Sequence, residues 1–268
     1  MPGYRANNGG KIPARFAPPD PEKTNMPPRI TTIGFDADDT LWQNEAFFRL
    51  TQDRFTSLLA DYAEADHLHD RLLAAERRNL GHYGFGVKGF VLSMIETAIE
   101  VTDQRVSASV LAEIMQAGRE MLEHPIELLP HAREAVEAVA ADHHVLLITK
   151  GDLLDQERKL AQSGLGDLFD GVEIVSDKTP PVYRGIFQRH GRAPEEAMMI
   201  GNSLKSDVLP VIAAGGVGVY VPHGLIWALE QAEAPQGHPR YHELADLGGL
   251  TDLLHQLRSP ENQMPRNT

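Results

Sequence analysis

The sequence predicts an α/β fold: a doubly wound parallel sheet with an all-helical insertion. Three observations predict it. Short apolar runs recur along the chain, helical patterns alternate with them, and the alternation breaks once, over about 80 residues that carry no strand signal.

The first apolar run is Ile30 to Phe35, which ends at Asp36. The others are Val145–Ile148, Val172–Val175, Ala197–Ile200 and Val217–Val221. Runs of this length and composition read as strands buried on both faces. Between them lie helical patterns at Pro130–Ala141, Leu153–Ser163, Val182–Gly191 and Asp207–Ala214. Strands alternating with helices give a Rossmann-like sheet, in which ligands bind at the carboxyl ends of the strands. The interruption, residues 45–125, reads as helices near 45–64, 67–80, 87–101 and 107–123. In the third, Val87, Phe90, Val91, Met94, Ile95 and Ala98 follow helical spacing. A glycine-rich break, Gly81 to Gly86, separates two of these helices. The expected organisation is therefore a leader over 1–28, a core over 29–44 and 126–258, a helical cap over 45–125 and a frayed tail over 259–268.

Composition limits the function. Of 268 residues, 42% are hydrophobic and 24% charged, which is the balance of a globular protein. The net charge of −13 repels nucleic-acid phosphates and anionic lipid, so neither is an expected partner. No cysteine is present, which removes disulfides, thiolate nucleophiles and cysteine metal sites, and fits a reducing, cytoplasmic setting. No run of 18 apolar residues suggests a membrane span. The proline-rich first 28 residues have no apolar stretch of the signal-peptide kind. Nothing decides between monomer and homodimer.

Polar residues cluster at the predicted strand ends. Asp36-Ala37-Asp38-Asp39-Thr40 follows the first strand. Carboxylates two residues apart can face one site and bind a hard cation, and one can attack phosphorus while the other moves a proton. The bland reading is an acidic turn. Thr149-Lys150-Gly151 follows the second strand, where a hydroxyl can donate to a phosphate oxygen or simply cap a helix. Lys178 follows the third as a point charge, or as a solvated lysine before a proline-started helix. Gly201-Asn202-Ser203 leads to Asp207, a second set of oxygen ligands or an ordinary helix cap. In order along one sheet, these ends offer a nucleophile, a hydroxyl, a lysine and metal ligands, the parts that phosphoryl transfer requires.

With these four segments the chain resembles the haloacid dehalogenase superfamily of aspartate-nucleophile hydrolases over about residues 29–225. The resemblance implies that Asp36 is the nucleophile and a Mg2+ ligand, and that Asp38 is the general acid/base and ligates through its backbone carbonyl. It implies that Thr149, with Lys150 and Gly151, holds the phosphoryl group, and that Lys178 neutralises it. The fourth motif departs in one place, with Asn202 standing where an aspartate is usual. Asp207 is therefore expected to carry the acidic metal contact. The insertion resembles the family's small helical cap, and its Gly81–Gly86 edge, with Tyr83, Phe85 and Lys88, is the candidate substrate-facing edge, or else a plain interhelical turn. The expected activity is Mg2+-dependent hydrolysis of a small phosphorylated metabolite of the sugar-phosphate, phosphoglycolate or nucleotide type. The alternatives are a 2-haloacid dehalogenase, disfavoured because such enzymes lack a carboxylate at the position of Asp38, and a catalytically silent scaffold.

Overall fold

The computed structural model describes residues 29–258, and the leader expected over 1–28 and the tail expected over 259–268 lie outside them. Six strands form one parallel sheet: β1 (Thr32–Phe35), β2 (His144–Lys150), β3 (Gly171–Val175), β4 (Ala197–Gly201), β5 (Val217–Tyr220) and β6 (Tyr241–Glu243). Their order is β3-β2-β1-β4-β5-β6, with every pairing parallel. This is the Rossmann-like order, whose crevice opens where the winding reverses, between β1 and β4. Asp36 follows β1 and Asn202 follows β4, so both residues flank that crevice.

Side chains alternate across the sheet with period two. Ile33, Phe35, Val145, Leu147, Met198 and Ile200 face one layer, where Val136 of α5 (Ala132–Ala140) and Leu250 of α9 (Leu250–Arg258) complete the core. Leu146, Ile148, Ala197 and Met199 face the other, against Tyr183, Ile186 and Phe187 of α7 (Pro180–Arg189) and Val211 of α8 (Leu209–Ala214). Gly34 lies between Ile148 and Met199, where a Cβ would come within 2.9 Å of the isoleucine. A larger residue there would make the ends of the Ile148 and Met199 side chains move aside.

Four helices interrupt the winding after β1: α1 (Glu45–Leu58), α2 (Ala65–Tyr83), α3 (Val87–Val101) and α4 (Ala108–Glu123). They bury a core of their own around Phe55, Leu68, Leu72, Phe90, Met94 and Ile114. The segments that enter and leave this insertion are paired. Trp42 bridges Leu128 in antiparallel fashion, Gln43 N–H donates to the Glu127 carbonyl at 2.9 Å, and Leu129 N–H donates to the Leu41 carbonyl at 2.9 Å.

Several elements differ from the sequence expectation, the first being α1, which ends at Leu58 and not near residue 64. The glycine-rich break is shorter, because α2 runs through Gly81 and His82 to Tyr83. The helix ends only where Gly84 and Gly86 adopt φ of 73° and 108°, values that favour glycine. The helix expected to begin at Asp207 starts earlier, with one π-helical turn over Leu204–Val208. Strand β6 and helix α9 carried no sequence expectation at all.

Candidate active site

The carboxyl ends of β1, β2 and β4 open into one cavity, roofed by α1–α3 and by the loop around Trp227. Asp36 lies at its floor, buried. Its Oδ1 accepts a hydrogen bond from Lys178 Nζ at 2.5 Å, and its Oδ2 lies 3.1 Å from the Thr40 hydroxyl. Burial pushes the Asp36 carboxyl up to about 7, against the pull of Lys178 and with the help of Asp207 and Asp38. Lys178 is also buried, and its Nζ donates a second bond to Asp207 Oδ1 at 2.6 Å. Burial alone would lower its pKa, but the two carboxylates more than offset that and hold it above the ordinary lysine value.

The π-helical turn sets Asp207. Its Oδ2 accepts the Ser203 N–H at 2.9 Å, so both carboxylate oxygens are engaged. The carboxylate packs against the Cα of Gly201, where any Cβ would collide with it. π turns of this kind occur often at functional sites, because the extra residue re-aims a side chain. Asn202 Oδ1 lies 3.3 Å from Thr40 Oγ1, and the Asn202 N–H donates to that same oxygen at 3.1 Å. Thr40 therefore stands between Asp36 Oδ2 and Asn202 Oδ1 with one proton for the two acceptors.

Asp38 is held by three donors. Trp42 Nε1 and Lys159 Nζ reach its Oδ1 at 2.8 and 2.9 Å, and Gln156 Nε2 reaches its Oδ2 at 2.8 Å. Asp39 accepts the N–H groups of Asn44 and Glu45 at 2.9 Å and thereby fixes the start of α1. Burial raises its carboxyl to about 7, Asp38 adds to the rise, and His223 and these N–H groups oppose it. The backbone there has φ 58°, a left-handed turn that aspartate tolerates.

Thr149 is buried. Its Oγ1 accepts from Gln156 Nε2 at 3.1 Å, and its own proton has only a long contact, 3.3 Å, to the Lys150 carbonyl. Gly151 has φ 143°, and a Cβ there would run into Gln156. Lys150 points into a polar cluster: its Nζ donates to Ser206 Oγ at 2.7 Å and to Glu230 Oε1 at 2.6 Å, and lies 4.1 Å above the Phe85 ring. Burial works to raise Glu230, yet Lys150, Ser203 and Ser206 hold it below the usual carboxylate value.

Ten residues were singled out from sequence, and eight line this one cavity: Asp36, Asp38, Thr149, Lys150, Gly151, Lys178, Asn202 and Asp207. Tyr83 and Lys88 are not brought to it. Because α2 continues through the expected break, Tyr83 stays helical, is exposed, and donates from its hydroxyl to Glu96 at 2.7 Å. Lys88 forms an exposed ion pair with Asp152 at 2.9 Å, tying α3 to the start of α6 (Leu153–Ser163). Phe85, from the same edge, does line the cavity. Sequence reading missed Lys159, Gln156, Glu230 and Glu76. Each is an ordinary polar residue on a helix or a short turn, with no motif around it. The spacing of Gln156 and Lys159 from Thr149 placed them on α6 beside the site, and that was the one available signal.

Among the described residues no group of three or more His, Cys, Asp or Glu side chains is disposed to hold a metal ion. The crevice instead offers few ligands, all oxygen, in Asp36 and Asn202. That set fits Mg2+, which keeps several waters and takes one or two protein carboxylates together with substrate phosphate.

Over residues 30–215 the chain matches the family of haloacid dehalogenase-like hydrolases. Among solved structures it is 43% identical to a haloacid dehalogenase-like family hydrolase from Xanthomonas campestris, covering 87% of this chain and 96% of that one with a TM-score of 0.77. Two more distant structures share the fold at 17% identity. One is the HAD-hydrolase YfnB from Bacillus subtilis bound to magnesium, covering 84% of this chain and 99% of that one (TM-score 0.60). The other is described as a predicted phosphoglycolate phosphatase from Haemophilus somnus, covering 84% and 97% (TM-score 0.58). No curated protein matches. Structures of this fold include both phosphatases and 2-haloacid dehalogenases, so the fold alone does not choose a chemistry. Matched over most of its length and close to a solved relative, the chain belongs to the haloacid dehalogenase-like hydrolases.

Proposed function

We propose that this hydrolase is a Mg2+-dependent phosphatase acting on a small phosphorylated metabolite. The observation that carries the reading is Asp38, a carboxylate two residues after the nucleophile and facing the same cavity. An alkoxide leaving group needs a proton, whereas a halide does not, so a carboxylate at this position, able to act as that acid, suits phosphate esters.

In the proposed reaction Asp36 Oδ attacks phosphorus, the phosphorus–oxygen bond to the leaving alcohol breaks, and Asp38 gives its proton to that oxygen. Asp38 then takes a proton from water, the water oxygen attacks phosphorus, and inorganic phosphate leaves with Asp36 restored. All three contacts to Asp38 are accepted, the arrangement of the deprotonated side chain, which is the form needed for the second half. For the first half it must exchange a donor for a proton. Gln156 Nε2 is the donor best able to leave, since it also reaches Thr149 Oγ1 at 3.1 Å and the Lys150 carbonyl at 2.7 Å. Thr149, whose proton has only a long partner, would donate to a phosphoryl oxygen, and Lys178 would neutralise it.

Mg2+ would be held by Asp36, Asn202 and the backbone carbonyl of Asp38, with Asp207, which accepts from Lys178 Nζ at 2.6 Å and from the Ser203 N–H at 2.9 Å, positioning Lys178. This differs from the sequence expectation, which gave Asp207 the acidic contact. When bound, the ion supplies positive charge that favours ionised Asp36 and offsets charge on the phosphoryl group. The insertion would act as the cap that excludes water during the reaction.

The test is phosphate release from a panel of phosphate monoesters with and without Mg2+. Expected are turnover with Mg2+, loss of turnover on chelation, and a loss of at least about 10³-fold in Asp36→Asn. Magnesium-independent halide release from 2-chloropropionate, with no phosphate release, would overturn the reading.

A further inference from the structure

The cavity is polarised. Its basic side chains, among the described residues, are Lys150, Lys159 and Lys178, all contributed by the α/β core. None is free. Lys178 serves Asp36 and Asp207, Lys159 serves Asp38 and Asn44, and Lys150 serves Glu230 and Ser206. The wall supplied by the helical insertion and the Leu225–Trp227 loop has no basic residue and carries two buried acids, Glu45 and Glu76. Glu45 is paired with Arg49 at 3.2 Å. Among the described residues, no cation is paired with Glu76.

Glu76, on α2, is 7% exposed, and among the described residues no donor reaches its Oε2. Burial pushes its carboxyl up to about 7, Trp227 opposes the rise as a hydrogen-bond donor, and nearby Glu45 adds to it. An unpaired carboxylate oxygen under a cavity wall is costly to keep unless a ligand satisfies it. The same wall holds aromatic rings, with Phe48 packed on Phe90 at 5.0 Å between centroids and Phe85 on Trp227 at 6.1 Å. A carboxylate beside aromatic faces is the environment that receives an organic ammonium group.

We propose that Glu76 selects the substrate by its leaving group, and that this group is an alcohol bearing a protonated amine, so that the substrate is the phosphate monoester of an aminoalcohol. The proposal deepens the phosphatase reading and rests on it. Phosphate binds at the lysine-bearing floor and the ammonium at Glu76. A leaving group with its own carboxylate or second phosphate would meet Glu45 and Glu76 with no free cation to receive it. Phosphoglycolate and bisphosphates are therefore excluded from the substrate class. A neutral polyol ester could donate to Oε2 but would leave the buried charge uncompensated.

The experiment compares kcat/KM with Mg2+ for 2-aminoethyl phosphate, its near-isostere propyl phosphate, glycerol phosphate and phosphoglycolate, with p-nitrophenyl phosphate as the general reporter. The expected preference for 2-aminoethyl over propyl phosphate is roughly 10- to 100-fold, the range of a hydrogen bond to a charged group. In Glu76→Gln that ratio should fall to within about threefold of unity, on the same scale. As a readout without turnover, calorimetric titration of 2-aminoethyl phosphate into Asp36→Asn should weaken by roughly 10- to 100-fold when Glu76→Gln is added. Hydrolysis of p-nitrophenyl and propyl phosphate with no amine preference, or a preference unmoved by Glu76→Gln, overturns the role of Glu76 and leaves the phosphatase intact. A preference for glycerol phosphate that Glu76→Gln removes overturns the aminoalcohol class. Hydrolysis of none of the esters overturns the phosphatase reading and this proposal with it.

Discussion

Replacing Glu76 with glutamine should make the protein more stable at pH 8 and slightly less stable near pH 4. In the fold, burial raises the carboxyl from its ordinary 4.5 to about 7. Between those values the folded protein holds a proton that the unfolded chain has already lost, so stability falls as pH rises through the window. Above pH 7 the full penalty is present. At about 1.4 kcal/mol per unit it amounts to roughly 3 kcal/mol for a side chain this deeply buried. Glutamine carries no charge and escapes that penalty. Its amide still needs a partner, which returns about 1 kcal/mol, leaving a net gain of about 2 kcal/mol at pH 8. For a chain of this size that corresponds to a rise in Tm of about 4–8 °C. The assay is urea unfolding of both proteins at half-unit steps from pH 4 to 8. A difference that is flat across that range, or a glutamine variant less stable at pH 8, refutes the account of Glu76 as a buried, uncompensated acid. A residue that weakens the fold yet sits in the cavity wall is what a binding role predicts, since sites often trade stability for function.

Two further substitutions probe the floor of the cavity. Lys178→Met leaves Asp36 and Asp207 facing each other without their shared cation, so unfolding at pH 7.5 should become easier by about 3–5 kcal/mol by urea titration, and phosphate release should disappear. Gly201→Ala sets a methyl group against the Asp207 carboxylate and displaces it from Lys178. The circular dichroism spectrum should stay native while kcat drops by at least about tenfold, as small misplacements of reacting groups do.

The central strands were legible because a strand buried on both faces must be apolar along its whole length, and Ile33, Val145 and Met198 announce that directly. Strand β6 was not legible. Tyr241-His242-Glu243 lies at the sheet edge, partly exposed, and no apolar run marks it. At the site, the residues found were those at the ends of readable strands, where position alone suggests chemistry. The residues missed arrive through tertiary packing. Lys159 reads as a routine helix lysine four residues after Asp155, and only the approach of α6 to β1 brings it to Asp38. Glu230 follows an irregular stretch with no periodicity, and its contact with Ser203 and Ser206 depends on how the chain returns after β5. Tyr83 and Lys88 were drawn to the cavity by proximity to glycines. Helix α2 runs less than one turn past its expected end, which keeps Tyr83 helical and exposed, while Lys88 on α3 turns to Asp152.

The paired strands at Trp42 and Leu128 have a practical meaning for engineering. Bridged residues in an antiparallel pair lie about 5 Å apart, so the chain leaves the α/β body and returns to it at nearly the same point. The four helices are thus a cassette spliced into a gap that a tight turn could close. A short turn joining Trp42 to Leu128 would span that gap without stretching the sheet. The insertion supplies one wall of the cavity and the sheet supplies Asp36, so two sides of one site are encoded in separate stretches of the chain.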